Sequence, residues 1–457
     1  MKIENFTISV NASIRDALIS IEANHSGYIF AIDEYQRVIG IATDGDIRRK
    51  LLENISLEDS VGECINTDFI WATKDTPREA LLKHLDQKIK FIPVLDNEKR
   101  LSTIISRDHL PGKEEDKVFS RAKAPVRISF GGGGSDVSPY FSAHGGAVIN
   151  ATISVFSHAL LRIRDDERIL IHSRDLKESV DCSNIAQFLA HKGRFGLIQS
   201  IIRTINPNFG FELFLHSDFP MNSGLGGSAV VVASILGCFN QFRKDKWDQY
   251  EMAELAFQAE RLFLSVSGGW QDQYATVFGG LNFMEFNKDQ NVIQPMRLQK
   301  EILLELEESL ILCNTGTTHD SGNIHDDQKE QTKKGNVQKM IQSNVDLTYQ
   351  MRNHLLRGRL NDFGKNLHMA WEIKRSFSSK ISTPLLDGIY NKARENGVLG
   401  GKLLGAGGGG FFLFYVPPFM RHEVLDWMQS DGLIYTPFRF EESGLQSWTV
   451  RENIVDK

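Results

Sequence analysis

Cysteine is scarce in this chain, and the few cysteines that occur stand far apart. Cys64, Cys182, Cys238 and Cys313 form no CxxC pair, which argues against a structural zinc site and against a disulfide framework. The N-terminal stretch MKIENFTISV has neither the basic start nor the apolar centre of a secretory signal. We therefore expect a protein of the reducing cytoplasm.

Long apolar runs and a dominant charge are also missing. A membrane helix needs about 20 apolar residues, and no apolar run in the chain approaches this length. The 52 basic and 58 acidic residues give a net charge of -6. Neither a membrane nor a nucleic acid is therefore expected as a partner. The chain has the apolar fraction of a globular protein, 41%, and its 457 residues exceed what one core usually holds.

The N-terminal part contains a weak internal repeat of a helix, two short strands and a polar turn. One copy is SIRDALISIEANHSGYIFAIDEYQRVIGIATDGDI, and the other is TPREALLKHLDQKIKFIPVLDNEKRLSTIISRDHL. This repeat resembles a tandem pair of CBS domains over residues 1–112. A charge run after Pro111 and Gly112 then predicts a linker over residues 113–122.

The CBS resemblance implies a regulatory site. In that family a Thr or Ser followed three residues later by Asp holds the ribose of an adenine nucleotide, and Thr43 and Asp46 match this pattern. The second copy has His109 three residues after Ser106, so at most one working site is expected. The alternative is a CBS pair that only packs as a dimerisation module, forming a homodimer.

Three glycine-rich segments dominate the rest of the chain: FGGGGSD at 130–136, PMNSGLGGSA at 220–229 and LGAGGGGFF at 404–412. The second directly precedes an apolar helix, so unpaired N–H groups and the positive end of the helix dipole would face its ligand. Phosphate is the natural ligand for such a loop. The segment lacks the Lys-Ser or Lys-Thr pair of a P-loop and the G-x-G-x-x-G spacing of a dinucleotide site.

The order and flanks of these segments resemble the GHMP kinases, whose second motif reads roughly P-x-x-x-G-L-G-S-S-A. The resemblance implies an α+β protein with a two-lobed kinase after the CBS pair, an N-terminal α/β lobe over 123–300 and a ferredoxin-like C-terminal lobe over 301–457. It also implies that the second segment binds the phosphates of ATP. The residues concerned are Asn222, Ser223, Gly224, Leu225, Gly226, Gly227, Ser228 and Ala229.

A later segment, AERLFLSVSGGWQDQYATVFGG from Ala259, resembles the part of the family that supplies two carboxylates. By this resemblance Ser228 and Glu260 bind Mg²⁺, and Asp272 takes the proton from the acceptor hydroxyl. The chemistry requires this division, because Mg²⁺ needs hard oxygen ligands while a separate carboxylate must face the nucleophile.

The first segment, within KAPVRISFGGGGSD, resembles the substrate-side motif of the family. Galactokinases have an arginine and an aspartate nine positions apart, and Arg127 and Asp136 keep this separation. The resemblance implies that Arg127 stabilises the transferring phosphoryl group and that Asp136 orients the sugar. Gly133 and Gly134 stand where galactokinases carry Glu and His, which leaves room for a larger or phosphorylated sugar.

The third segment resembles the C-terminal glycine loop of the family, which closes over the substrate, and its amides can form an anion-binding nest. Gly407 and Gly408 are therefore candidate substrate contacts. Nearby cations could meet a second phosphate on the substrate, and Lys374 and Arg375 are the candidates, with Lys402 beside the loop.

From Lys123 to about residue 450 the chain is similar to the heptose 7-phosphate 1-kinases. That likeness implies ATP-dependent phosphorylation of the anomeric hydroxyl of D-glycero-D-manno-heptose 7-phosphate, a step towards nucleotide-activated heptose for surface polysaccharides. Two alternatives remain open. One is a kinase for another acceptor, such as fucose or an isoprenoid precursor, and the other is a catalytically idle sensor that binds nucleotides.

Overall fold

The computed structural model describes residues 3–86, 89–106, 117–220, 223–264, 268–317 and 335–452. The chain divides into two compact units, Met1–Asp116 and Lys117–Lys457. Each helix in the described ranges is too short or too polar to cross a membrane.

The first unit repeats a helix followed by an antiparallel pair of strands. Its elements are β1 (Thr7–Ser9), α1 (Ile14–Asn24), β2 (Tyr28–Ile32), β3 (Val38–Thr43), α2 (Asp44–Leu52), α3 (Arg78–Asp86), β4 (Phe91–Leu95) and β5 (Leu101–Ser106), with short 3-10 helices at Ile3–Phe6 and Val61–Cys64. β2 pairs with β3 and β4 pairs with β5, while β1 joins β2 in parallel. The two halves pack through Tyr28 and Phe91, whose ring centroids lie 3.5 Å apart.

Helix α1 shows why the first copy of the repeat folds as predicted. The hydroxyl of Ser13 accepts a hydrogen bond from the N–H of Asp16 and so caps the helix. Ile14, Ala17 and Ile21 are buried, at the i, i+3 and i+7 positions that form one helix face. Local capping and apolar spacing therefore agree with the packing.

The second unit is built on two sheets with helices packed against them. Its strands are β6 (Lys117–Gly131), β7 (Gly146–Ile163), β8 (Ile169–Ser173), β9 (Glu178–Cys182), β10 (Phe211–Ser217), β11 (Leu281–Phe286), β12 (Asn291–Pro295), β13 (Leu310–Asn314), β14 (Gly400–Leu403), β15 (Phe411–Tyr415), β16 (Ile434–Thr436) and β17 (Gln446–Glu452). The larger sheet has the order β12-β11-β7-β10-β8-β9, with β6 between β7 and β17. The smaller sheet has the order β14-β15-β13-β16.

The helices of this unit are α4 (Ser138–His144), α5 (Ile185–Ala190), α6 (Gly196–Ile205), α7 (Gly227–Asn240), α8 (Gln249–Phe257), α9 (Gln271–Phe278), α10 (Lys300–Ser309), α11 (Gly335–Leu356), α12 (Leu360–Arg375), α13 (Pro384–Glu395) and α14 (Arg421–Ser430), with a π-helix at Gln258–Phe263 and a 3-10 turn at Pro418–Met420. One hydrophobic core joins both sheets. Phe363 packs edge-on against Phe130 of the larger sheet and against Tyr415 of the smaller one. This mixture of helices and sheets confirms the α+β class.

Two predicted boundaries were wrong. Residues 117–122, assigned to the linker, begin strand β6, and residues 446–452, assigned to the C-terminal lobe, form β17. These two segments pair with each other, with Trp448 opposite Arg121. Strand β17 therefore belongs to the larger sheet, together with β6. The pairing partners are more than 300 positions apart in the sequence, and local patterning cannot reveal such a long-range ladder.

Candidate active site

Two of the three glycine-rich segments meet backbone to backbone. Gly224 and Gly405 both have positive φ, +77° and +70°. A Cβ atom on Gly405 would lie 2.4 Å from the Cα of Gly224, and one on Gly410 would lie 2.5 Å from the carbonyl oxygen of Ser223. The loops can approach this closely only because both are glycine at the contact.

The second segment forms the start of α7. Gly226, at φ +79°, is the N-cap residue, and because glycine has no side chain to cap the helix, the N–H groups of the first turn remain for an external acceptor. Ser228 is exposed in this turn. Of the predicted phosphate-binding residues, Ser223 to Ala229 form the loop and first turn, whereas Asn222 lies outside the described residues.

Gly227 stands where the kinase motif has its first serine, and its surroundings explain the exchange. A Cβ atom on Gly227 would lie 2.7 Å from the ring of Phe219. The aromatic ring therefore occupies the space that a serine side chain would need. The helix still begins at Gly227, so its first N–H groups are still present.

The predicted metal ligands, Ser228 and Glu260, are in direct contact. The hydroxyl of Ser228 donates a hydrogen bond to one carboxylate oxygen of Glu260, and the amide of Gln273 donates to the other. Glu260 is buried, with 1% of its surface exposed. Burial raises the pKa of the Glu260 carboxyl, an effect opposed by the charge of Arg261 and by these two hydrogen bonds.

Glu260 reaches Ser228 from a π-helix, Gln258–Phe263, which continues α8. A π-helical turn shifts side chains relative to an α-helix, and such turns occur frequently at functional sites. Two hard oxygen donors side by side at a phosphate-binding helix start fit a Mg²⁺ ion. The residues present therefore suit the metal that the sequence predicts.

The buried Arg127 forms an ion pair with the partly exposed Asp272 next to the same loop. The Nε of Arg127 lies 2.8 Å from Oδ1 of Asp272, and its Nη1 donates to the carbonyl oxygen of Gly224 at 2.8 Å. A Cβ atom on Gly226 would lie 3.4 Å from both side chains. Asp272 is in the first turn of α9, one residue before Gln273, which donates to Glu260, so the two carboxylates are connected through this turn.

Asp136 is held by the first segment and by α9. Its carboxylate accepts hydrogen bonds from the N–H of Gly134 at 3.0 Å and from the backbone and side chain of Gln271 at 3.3 and 3.1 Å. Burial, and secondarily the charge of Asp272, raise the pKa of the Asp136 carboxyl. This carboxyl can therefore hydrogen-bond to hydroxyl groups of a ligand or interact with a nearby positive charge.

These residues line one cleft. Its walls are formed by Arg127, Ser129, Gly133, Gly134, Asp136, Val137, Arg261, Gly268, Gly269, Gln271, Asp272, Asn344, Ala370, Lys374, Phe377, Lys402 and Gly405. The structure thus brings together six residues that the sequence predicted for catalysis or substrate binding: Arg127, Gly133, Gly134, Asp136, Asp272 and Lys374. Residues from both sheets and from the helices between them contribute to the walls.

Three predicted substrate contacts are placed elsewhere. Arg375 forms ion pairs with Glu372 and Asp387, because neighbouring residues on a helix point about 100° apart and only Lys374 faces the cleft. The N–H of Gly408 donates to the carbonyl of Ile381 at 2.8 Å. Gly407 lies against the same residue, where a Cβ atom would come 2.8 Å from the Cα of Ile381. In the third segment it is Gly405 that reaches the cleft.

Several polar residues of the cleft were not predicted. Within the described residues, Ser129 Oγ, Gln271 Oε1 and Asn344 Oδ1 are buried without a hydrogen-bond partner, which suits groups that face a polar ligand. Ser129 could have been found, because it follows Arg127 by two positions on β6 and so points to the same face. Asn344 comes from α11, and no local signal connects it to this site.

Two lysines line the cleft, of which Lys402 is buried and Lys374 is half-buried. The Nζ of Lys374 donates to the carbonyl oxygens of Leu403 and Gly405, at 2.9 and 2.5 Å. Lys402 is 4% exposed and lines the cleft near Arg127 and Asp136. Burial, and then the charge of Arg127, lower the pKa of Lys402 to about 7, and burial lowers that of Lys374 well below its usual value.

The geometry defines a small-molecule kinase: an open helix start suits phosphate, and a carboxylate paired with a guanidinium faces the adjoining cleft. Comparison with known proteins agrees. The GHMP kinases N terminal domain model matches residues 194–280, the GHMP kinases C terminal model matches residues 351–421, and the CBS domain model matches residues 1–53. The chain belongs to the GHMP kinases, and its relatives are sugar kinases.

One relative is the D-glycero-alpha-D-manno-heptose 7-phosphate kinase of Campylobacter jejuni, 32% identical over 336 residues, which are 72% of this chain and 99% of that protein. Another is the L-fucokinase/L-fucose-1-P guanylyltransferase of Bacteroides fragilis, 26% identical over 63% of this chain and 34% of that protein. A crystal structure of a D-glycero-D-manno-heptose 1-phosphate kinase from Bacteroides thetaiotaomicron superposes with a TM-score of 0.62 at 29% identity. It covers 73% of this chain and 100% of its own.

Gly405→Ala tests the contact between the two loops. The added methyl group would overlap Gly224 and push the loops apart, and a displacement of about 1 Å at a reacting centre costs roughly 100-fold in rate. We expect turnover to fall by about this factor while thermal unfolding shows a folded protein. Gly388→Ala is the matched control, since a Cβ atom there meets open space. Equal turnover in both variants would contradict the assigned contact.

Proposed function

We propose that this kinase transfers the γ-phosphate of ATP to the anomeric hydroxyl of a sugar phosphate, with D-glycero-D-manno-heptose 7-phosphate as the best candidate. The observation that carries the proposal is the ion pair of Arg127 and Asp272, which lies against the glycine loop and lines the cleft. The heptose 7-phosphate kinase that is 32% identical to this chain supports the choice of substrate.

In this proposal the triphosphate of ATP binds the amides at the start of α7, where the helix dipole favours negative charge. Ser228 and Glu260 would hold Mg²⁺, which when bound neutralises charge on the β- and γ-phosphates. The buried Glu260 is neutral more readily than an exposed carboxyl, and an adjacent cation would favour its charged form.

Asp272 acts as the general base. Its carboxylate takes the proton of the anomeric hydroxyl as the oxygen attacks the γ-phosphorus and the bond from this phosphorus to ADP breaks. Arg127 fixes the position of the carboxylate through the 2.8 Å contact. The remaining donors of the Arg127 guanidinium can stabilise charge on the transferring phosphoryl group. Because Gly224 accepts a hydrogen bond from Arg127, the phosphate loop and the base keep a constant separation.

The sugar binds between Asp136 and the polar groups that lack partners in the described structure, Ser129 Oγ and Asn344 Oδ1. Hydroxyl groups of a sugar can donate to all three acceptors. Gly133 and Gly134 line the same wall without side chains, which leaves room for a heptose chain. Lys402 and Lys374 line the same cleft, and a phosphate on the acceptor would favour the charged ammonium forms that burial disfavours.

A coupled ATP assay over hexoses, heptoses, fucose and their terminal phosphates tests this function, with Asp272→Asn as the variant. We expect heptose 7-phosphate to give the highest kcat/KM, because it supplies both the hydroxyl and the distal anion. Loss of the base should lower turnover by about 100-fold to 10,000-fold, while ATP binding persists because the α7 loop is unchanged.

Three outcomes would contradict the proposal. A preference for free fucose would favour the alternative acceptor, and absence of ATP consumption with every acceptor would favour the idle sensor. Wild-type turnover in Asp272→Asn would show that Asp272 is not the general base. Retained thermal stability in the variant is the control that separates a chemical loss from unfolding.

The pH profile tests the role of Lys402. With a pKa lowered to about 7, the ammonium of Lys402 loses its proton as the pH rises through 7 in the free enzyme, and the cleft loses one positive charge. We expect kcat/KM for a phosphorylated sugar to fall above this pH, since kcat/KM reports groups of the free enzyme.

Lys402→Arg should remove this alkaline fall, because a guanidinium stays charged throughout the accessible range. The readout is the shape of the profile, whatever the absolute rate of the variant. An unchanged alkaline limb in Lys402→Arg would assign the titration to another group.

We also propose that the N-terminal unit binds an adenine nucleotide at Thr43 and Asp46. The Oγ1 of Thr43 donates to Oδ2 of Asp46 at 2.6 Å within the capping box of α2, and ribose hydroxyls could exchange for this hydrogen bond. Dimerisation through this unit remains a prediction. Titration of AMP, ADP and ATP should lose one site in Asp46→Asn and keep it in Asp44→Asn, and equal stoichiometry in both would contradict the site.

A further inference from the structure

An outward-facing cluster on the larger sheet lies apart from the residues of the cleft. It consists of His158 on β7, His216 on β10 and Asp218 just after β10. One ligand atom from each of the three side chains lies within 4.8 Å of the others. His216 and Asp218 are exposed and His158 is partly exposed, so an ion can reach the cluster from solvent.

The register of the sheet explains how these residues meet. His216 is directly opposite His158 in the antiparallel β7–β10 pair, and their rings stack with centroids 4.5 Å apart. Asp218 follows His216 by two positions, and side chains with this spacing point to the same face of a strand. The backbone N–H of Phe156 donates to Oδ2 of Asp218 at 3.1 Å and fixes the carboxylate beside the imidazoles.

The other cross-strand pairs on this face are complementary. Arg162 is opposite Glu212 and forms an ion pair with it, and Leu160 is opposite Phe214. The pair of His158 and His216 differs, because two imidazoles have no charge complementarity and repel each other when both are protonated. A cation bound between neutral imidazoles would turn this pair into a stabilising one.

One distance within the cluster already matches that between two ligands of a coordinated ion. The Nε2 of His158 lies 3.4 Å from Oδ2 of Asp218. Ligands at about 2.0–2.1 Å from a tetrahedral Zn²⁺ stand about 3.4 Å from one another. Two imidazole nitrogens and one carboxylate suit Zn²⁺ and other late transition metals, whereas Mg²⁺ prefers oxygen ligands.

We propose that His158, His216 and Asp218 form a binding site for a divalent transition-metal ion, with Zn²⁺ as the ion to test. The site links β7 to β10 across the ladder and leaves a fourth coordination position open to solvent. It is separate from the Mg²⁺ site at Ser228 and Glu260, since none of its ligands lines the cleft or contacts those two residues.

Zn²⁺ titration of the untagged, metal-free, full-length protein tests the site by calorimetry and thermal unfolding. We expect binding to His158, His216 and Asp218, and a rise in Tm of about 2 °C or more at 100-fold excess over Kd, because a ligand of the folded state stabilises it. Mg²⁺ at the same concentration should leave calorimetric binding at this site undetected. Absence of Zn²⁺ binding would overturn the proposal.

The variants His158→Ala and His216→Ala should each weaken Zn²⁺ binding by tenfold or more, and Asp218→Asn should weaken it less. His172→Ala is the matched control, since His172 is a partly exposed histidine on the adjacent strand β8, beside the carboxylate of Glu212. Unchanged binding in the double variant of His158 and His216 would show that the ion binds elsewhere and overturn the assignment.

Co²⁺ provides a second readout that does not depend on stability. Visible d–d bands of tetrahedral Co²⁺ should arise with the wild type and with His172→Ala, and should be lost in His216→Ala. Kinase turnover with Mg²⁺ should be retained in His216→Ala, which shows that the variant is folded. Identical Co²⁺ spectra in wild type and His216→Ala would contradict the site.

Discussion

The guanidinium of Arg127 connects three parts of the catalytic unit that are far apart in the sequence. It extends from strand β6, donates to the carbonyl of Gly224 in the phosphate loop and pairs with Asp272 at the start of α9. A buried ion pair loses much of its solvation, so it is retained only where its geometry is well satisfied. Here the two contacts fix the distance between the glycine loop at Gly224 and the carboxylate of Asp272, and phosphoryl transfer depends on such positioning.

Around this pair the cleft contains charges that a stable core would avoid. Glu260, Asp136 and Lys402 are buried and Lys374 is half-buried, and desolvation shifts the pKa of each towards its neutral form. Such shifts concentrate where ligands and ions supply the missing partners. Binding of ATP, metal and an anionic sugar would therefore relieve a cost that the free protein carries, which couples ligand binding to stability.

Much of the site could be predicted because its chemistry is encoded locally. The helix start after Gly226, the hydroxyl of Ser228 and the carboxylates of Glu260 and Asp272 belong to short motifs with defined spacing. In the structure Ser228 contacts Glu260, and Gly226 lies beside Asp272. Arg375 was misassigned because its helical position turns it towards Glu372 and Asp387. Asn344 was missed because it enters the cleft from a helix with no local link to any motif.

The sequence by itself determined the α+β class, the family and the glycine-rich loop before helix α7, since each depends on residues that are near in the chain. Only the tertiary structure decided which cations face the cleft, that β17 is added to the edge of the larger sheet and that His158 lies opposite His216. The physical reason is the same in each case. Helix rotation, strand register and the pairing of distant strands arise from packing over the whole unit, and no short window of sequence contains them.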